Sequence, residues 1–364
     1  MLRGRSAHRR GLSGECQPAV ALRTYTETGA LQEGIGIIGA GYWGRNLVRN
    51  FATLGKLQVV CDRDPLARAA ISKDYPGFRI TPDPHVVLND PAVVGVAIAT
   101  PAATHGRMVR DALRAGKHVL VEKPLCLSLD EGRQLVALAD AVNRKLMVGH
   151  LLWYHPAILK LKTLIDQGAL GSLQYIYSNR LNLGKIRREE NILWSFAPHD
   201  ISVILGLIEE TPESVWAQGG NYLDDKNTDV TVSVFTFASG LQAHVFVSWL
   251  HPFKEQKLVV VGEKQMAVFD DLRKGDKLVL YPHSIDLSNQ TPITSKAEPK
   301  IVPISDEEPL LQECSHFIEC IASGTQPRTD GHEGLRVLEV LDRCQWALSH
   351  PTPLVECARA NAGR

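Results

Sequence analysis

Apolar and polar positions follow two different rhythms along the chain. From residue 34 to about 150, short apolar runs at 34–38, 57–61, 93–99, 117–121 and 145–149 alternate with amphipathic stretches, notably 103–115 and 128–143. Such runs predict parallel strands buried on both faces, joined by right-handed helical crossovers in a doubly wound α/β sheet. Ser128, followed by Glu131, marks the start of one crossover helix. From about residue 170 the runs lengthen, at 173–183, 214–223, 229–237, 241–250, 257–261, 266–271 and 277–281. Residues 229–250 read as a hairpin turning at Ala238-Ser239-Gly240. Together they predict a large, mostly antiparallel open sheet in a second, α+β domain. Residues 284–300, rich in Ser, Thr, Pro and Asn, read as an exposed loop, with helices to follow at 307–323 and 331–349.

The first apolar run ends in Gly39-Ala-Gly41-Tyr42-Trp43-Gly44, and a helix-like segment, 44–54, comes next. Strand, glycine turn and helix form the setting in which a GxGxxG pattern binds a dinucleotide. Gly39 permits the tight turn, Gly41 lets a pyrophosphate approach the backbone, and Gly44 lets helix and strand pack closely. The helix N-terminus then offers free N–H groups and partial positive charge to the phosphates. The second run ends at Asp62, where a carboxylate can accept bonds from the adenosine ribose. That favours NAD over NADP, although Arg63 directly after it could pair with a 2′-phosphate. The predicted organisation is an unstructured extension over 1–33, a Rossmann domain over 34–150, and an α+β substrate-binding and oligomerisation domain over 151–364.

At 364 residues the chain accommodates two domains. Lys plus Arg, 40 in all, balance 40 Asp plus Glu, so no overall charge points to nucleic acid or to a membrane surface. No apolar run is long enough to span a bilayer. The seven cysteines are scattered and show neither CxxC nor finger spacing, which reads as reduced thiols of a cytoplasmic protein with no metal site. Residues 1–33 are rich in arginine but lack the apolar segment of an export signal. An exposed face of the second sheet needs cover, which predicts a homo-oligomer, dimer or tetramer.

Two short elements follow predicted strands at the edge where open α/β sheets place ligands: Thr100-Pro101-Ala-Ala-Thr-His105 and Glu122-Lys123-Pro124. With the glycine loop and Asp62 they make the chain, from about residue 34 onward, resemble the Gfo/Idh/MocA oxidoreductases, named for glucose-fructose oxidoreductase, inositol dehydrogenase and a rhizopine catabolism protein. The resemblance implies hydride transfer between a nicotinamide cofactor and a sugar or polyol carbon. It implies that Thr100, Pro101 and His105 lie along the cofactor, that Glu122 contacts the nicotinamide ribose, and that Lys123 polarises the reacting hydroxyl. A solvated lysine paired with Glu122 is the plainer alternative for Lys123. Relatives commonly carry Asp-x-Gly-x-His as the next element. Here the corresponding stretch is Ser195-Phe-Ala197-Pro-His199, so His199 matches the general base whereas Ser195 replaces the acid. A capping or core role at a helix entry also fits His199.

Arg180, Lys185, Arg187 and Arg188 lie between the first strand of the second sheet and His199, and could grip a diphosphate. They could equally form a solvated loop paired with Glu189 and Glu190. Tyr154 can face the cleft or pack at the domain junction. Within the family the likeness is greatest to the branch acting on nucleotide sugars, which oxidises C3 of UDP-N-acetylglucosamine or its uronate. That branch feeds an aminotransferase for lipid A or O-antigen building in lipopolysaccharide biosynthesis. A dehydrogenase of free polyols or aldoses, such as inositol, and a non-catalytic NAD-binding regulator are the competing readings.

Overall fold

The computed structural model describes residues 33–350 except Lys185, Leu287 and Asn289. The extension expected over 1–33 therefore falls, apart from Glu33, outside the described residues.

The first sheet consists of β1 (Gly34–Ile38), β2 (Leu57–Cys61), β3 (Arg79–Thr81), β4 (Val93–Ile98), β5 (His118–Glu122) and β6 (Leu146–Gly149). All its pairs are parallel, in the order β3-β2-β1-β4-β5-β6. Every residue of the central strand β1 is buried, as its unbroken apolar run requires. The crossovers are α1 (Gly44–Thr53), α2 (Pro65–Asp74), α3 (Pro84–Leu88), α4 (His105–Arg114) and α5 (Leu129–Ala141). Asp64, Asp83 and Ser128 cap the starts of α2, α3 and α5 by accepting a backbone N–H. Between Asp62 and Val93 the polar, short elements α2, β3 and α3 carry too little apolar periodicity to be read from sequence.

The chain then forms α6 (Pro156–Asp166), β7 (Leu173–Leu181), α7 (Ile192–Ile208), β8 (Ser214–Gly220), β9 (Val230–Thr236), β10 (Gln242–Ser248), β11 (Glu255–Gly262), β12 (Met266–Asp270) and β13 (Leu278–Tyr281). The stretch expected as loop holds a small exposed ribbon, β14 (Ser284–Asp286) with β15 (Ile293–Ser295), and the edge strand β16 (Lys300–Ile301). The second sheet has the order β16-β13-β12-β11-β7-β10-β9-β8. Its pairs are antiparallel except β7 with β10, which run parallel. The predicted hairpin is β9–β10.

Two last helices, α8 (Pro309–Ser323) and α9 (Gly331–Ser349), return to the first half, α8 against α1 and α9 against α5, while α9 also packs on α7 and β8. The linker before α9 joins the edge of the first sheet: Val148 N donates to Thr329 O at 2.8 Å, and Thr329 Oγ1 donates to Val148 O at 2.7 Å. That pairing carries the start of α9 to the C-terminal end of β6.

Candidate active site

Each glycine of the turn has a distinct spatial reason. Gly39 adopts a φ of +95°, and a Cβ there would lie 2.7 Å from the Ala99 carbonyl carbon. A Cβ on Gly44 would collide with the Gly39 carbonyl, whereas the space beside Gly41 is open. No side chain caps α1 and no acid stands in its first turn, so its N-terminus is free to receive an anion. Asp62 Oδ2 accepts the Ala40 N–H at 2.6 Å, and its Oδ1 accepts the Asp64 N–H at 2.8 Å. The carboxylate therefore sits against the turn itself. Arg63 is exposed beside it, and Tyr42 projects into solvent with 90% of its surface free. These features fit a dinucleotide, with the α1 N-terminus and the open Gly41 holding its pyrophosphate and Asp62 its adenosine ribose.

The Trp43 indole N–H donates to Glu122 Oε1, joining the glycine turn to the end of β5. Glu122 lies opposite Gly149 in the sheet, and a Cβ on Gly149 would press on its carboxyl oxygen at 3.1 Å. Burial pushes the Glu122 carboxyl up to about 6. The loop at Thr100 is held by His105, whose Nδ1 lies 2.7 Å from Pro124 O and whose Nε2 lies 2.8 Å from Thr100 O. His105 is 1% exposed and both ring nitrogens are occupied. It shapes the two loops and is not free to touch the dinucleotide, which corrects its expected role. Thr104 Oγ1 donates to Thr100 Oγ1 at 2.7 Å and to Pro101 O at 2.8 Å, fixing the same turn.

Lys123 Nζ donates to the Ser195 carbonyl at 2.6 Å, one helical turn before His199 on α7. Burial holds the lysine below its usual pKa, and the Arg187 charge acts in the same direction. The helix that carries His199 starts well before it, at Ile192, capped by Asn191, and has Pro198 inside it. Ser195 contributes its carbonyl, its own side chain being buried. His199 Nδ1 is buried without a partner among the described residues, and burial, with the charges of Lys123 and Arg180, pushes its pKa well down.

Two expected substrate contacts are engaged within the protein. Arg180 grips Asp200 with Nε to Oδ2 at 2.6 Å and Nη2 to Oδ1 at 3.1 Å, and Ser178 Oγ donates to Asp200 Oδ1 at 2.6 Å. A guanidinium so engaged is not available to a diphosphate. Tyr154 is 2% exposed, packed under the Arg328 guanidinium, with its hydroxyl 3.2 Å from Thr329 Oγ1. It belongs to the domain junction. Arg187 and Arg188 are exposed, and Arg187 Nε lies 3.3 Å from Glu190 Oε1. Glu190, only 9% exposed, favours the charged form of Lys123 while Arg187 opposes it, so the charges of this segment reach the lysine. Lys185 lies outside the described residues.

His150 and Glu333 are functional candidates that the sequence reading passed over. His150 follows β6 at the ligand edge of the sheet, which was a usable signal. Glu333 reaches the site from α9, and nothing local to it announced this. No group of residues among those described could hold a metal ion, and no helix there is long and apolar enough to cross a membrane.

The family description of an oxidoreductase with an NAD-binding Rossmann fold matches residues 34–150, and that of the GFO/IDH/MocA C-terminal domain matches 158–268. The chain belongs to the Gfo/Idh/MocA family. As a member it is an NAD-dependent oxidoreductase acting on a CH–OH group, with the Rossmann sheet and the open antiparallel sheet of its relatives. It is 27% identical to UDP-N-acetylglucosamine 3-dehydrogenase of Acidithiobacillus ferrooxidans, over 83% of this chain and 93% of that protein. A solved structure of that enzyme superposes with a TM-score of 0.76 over 88% of this chain and 98% of that one, at 24% identity. The scyllo-inositol 2-dehydrogenase (NAD(+)) of Bacillus subtilis is 26% identical over 80% of this chain and 86% of its own length. Levoglucosan dehydrogenase, solved with NADH and levoglucosan, shares the fold with a TM-score of 0.76 at 20% identity, over 88% of this chain and 98% of that one.

Proposed function

We propose that this dehydrogenase oxidises a ring hydroxyl of a nucleotide sugar, with C3 of a UDP-N-acetylglucosamine-type sugar as the reactive carbon. The observation that carries the reading is the exposed Arg187–Arg188 segment, in which Arg187 pairs with the buried Glu190 and both act electrostatically on Lys123. Positive charge at the mouth of a sugar site suits a diphosphate, and a free polyol has no use for it. The similarity to UDP-N-acetylglucosamine 3-dehydrogenase supports the same reading.

When bound, the nicotinamide supplies the hydride acceptor. Glu122, steadied by the Trp43 indole, orients the nicotinamide ribose. Lys123 transfers its N–H from the Ser195 carbonyl to the substrate oxygen and stabilises the charge that grows there. His199 takes the hydroxyl proton. A 3-keto sugar is the form an aminotransferase would consume next, toward amino sugars of a lipopolysaccharide. Thr100 and Pro101 would bound the cofactor cleft, and the partly exposed face of the second sheet, seen in the alternating burial of β9 and β10, would serve a homo-oligomer.

A second reading, oxidation of a free polyol, is favoured by the similar identity to scyllo-inositol 2-dehydrogenase. The purified chain, given NAD or NADP and a panel of UDP-sugars and free sugars with a product trap, separates them. Turnover of a UDP-sugar, with KM raised about tenfold or more by Arg187→Ala or Arg188→Ala, is expected. Turnover confined to free inositol or glucose sinks the nucleotide-sugar reading.

A further inference from the structure

His199 stands in a site short of anions. Among the described residues, the charges that act on it are those of Lys123 from the loop after β5, Arg180 from β7 and His150 from the end of β6. Asp200, next to it on α7, is committed to Arg180 and Ser178. Ser195, one turn earlier, brings no charge. A buried imidazole among cations is a weak proton acceptor unless negative charge reaches it.

A buried line of contacts leads to such charge. The His150 ring meets the His199 ring edge-on, with centroids 6.4 Å apart. On its far side His150 Nδ1 lies 2.6 Å from Glu333 Oε2, and the two side chains are 3% and 9% exposed. Ser202 Oγ donates to the other carboxylate oxygen at 2.5 Å, and Asp330 Oδ1 holds the Glu333 N–H at 2.8 Å. Glu122, from β5, also faces His150, but its carboxyl is engaged by Trp43. A carboxylate against Nδ1 fixes the proton on that nitrogen, leaves Nε2 as the basic lone pair, and stabilises any positive charge the ring acquires.

We propose that Glu333 is a positioning residue of the reaction, acting through His150, and that the proton leaving the substrate hydroxyl comes to rest on the His199–His150 pair. The O–H bond breaks, an N–H bond forms on an imidazole, and the hydride leaves the same carbon for the oxidised nicotinamide. The carboxylate on His150 Nδ1 stabilises a positive charge carried by either ring of the contact. Glu333 thus takes from α9, far along the chain, the part that an acid at position 195 would play. This rests on the dehydrogenase reading, so its test has a readout that needs no substrate.

Histidine-labelled full-length protein, saturated with NAD, would be titrated by NMR as wild type, Glu333→Gln and Glu333→Asp, with His150→Asn and His199→Asn assigning the signals. Glu333→Gln should lower the protonation midpoint of the pair by about one pH unit, tenfold in proton affinity, while Glu333→Asp, which keeps the charge, should retain most of it. An unchanged midpoint in Glu333→Gln overturns the inference. In the dependence of kcat on pH, the acid limb should move down by the same amount in Glu333→Gln. A uniform loss of kcat with the limb in place marks a merely structural role and also overturns it. Wild-type turnover, measured alongside, judges the dehydrogenase reading separately.

Discussion

Lys123 Nζ donates to the Ser195 carbonyl oxygen at 2.6 Å, so the loop after β5 and the helix bearing His199 are joined through the group that would meet the substrate. The same N–H can serve substrate oxygen only by leaving that carbonyl or sharing itself with it. Lys123→Met should therefore lower kcat by about 10²–10³-fold with little change in NAD affinity. Lys123→Arg should not restore it, since a planar fork does not replace a compact ammonium. Initial rates and a fluorescence titration with NADH check both points.

Asp62 binds the turn, and the proposed site gives it the adenosine ribose. Asp62→Ala should raise KM for NAD about 10–100-fold, the worth of a lost bond to a charged acceptor, and should improve the relative use of NADP, with Arg63 adjacent. The ratio of kcat/KM for the two cofactors is the measurement. An unchanged ratio would remove Asp62 from the cofactor site.

The Arg180–Asp200 pair is nearly excluded from water, with side chains 12% and 4% exposed. Asp200→Asn leaves a buried guanidinium with half its partner and should cost about 3–5 kcal/mol. Arg180→Met with Asp200→Leu should recover most of that loss. Urea unfolding of the single and double variants tests the pair as a structural element.

Glu313, on α8, is buried with neither carboxyl oxygen bonded among the described residues. Burial, reinforced by the Glu122 charge, holds its carboxyl well above the ordinary value of 4.5. The native state thus favours the protonated acid. Stability from this group is complete below the unfolded value of 4.5 and is lost as pH climbs from there toward the folded value. Glu313→Gln, always neutral, should be more stable than the parent at pH 8 by several degrees in Tm and should lose that advantage near pH 4. A difference that does not depend on pH would contradict it.

Much of the first sheet was legible because its strands are apolar without interruption and its ligand-edge motifs are contiguous in sequence. Gly39, Gly41, Gly44 and Asp62 lie within one strand–turn–helix–strand unit, so spacing alone relates them. The segment 62–92 was illegible for the opposite reason, as α2 buries only Ile71. Arg180 and Tyr154 misled because residue type does not state direction. Arg180 is cationic and near the site, yet Asp200 takes it, and Tyr154 turns its hydroxyl to Thr329.

By itself the sequence determined two sheets of different kind, the dinucleotide turn, and the presence of Lys123 and His199, since all of these rest on local periodicity and short motifs. Only the tertiary structure decided which charges surround His199. Asp200, its neighbour in the chain, points to Arg180, while Glu333 arrives from α9 at His150, whose ring meets that of His199, because the linker at Thr329 pairs with the edge of β6. Side-chain charge acts through space over a few ångströms in a water-poor interior, and sequence separation sets no limit on that.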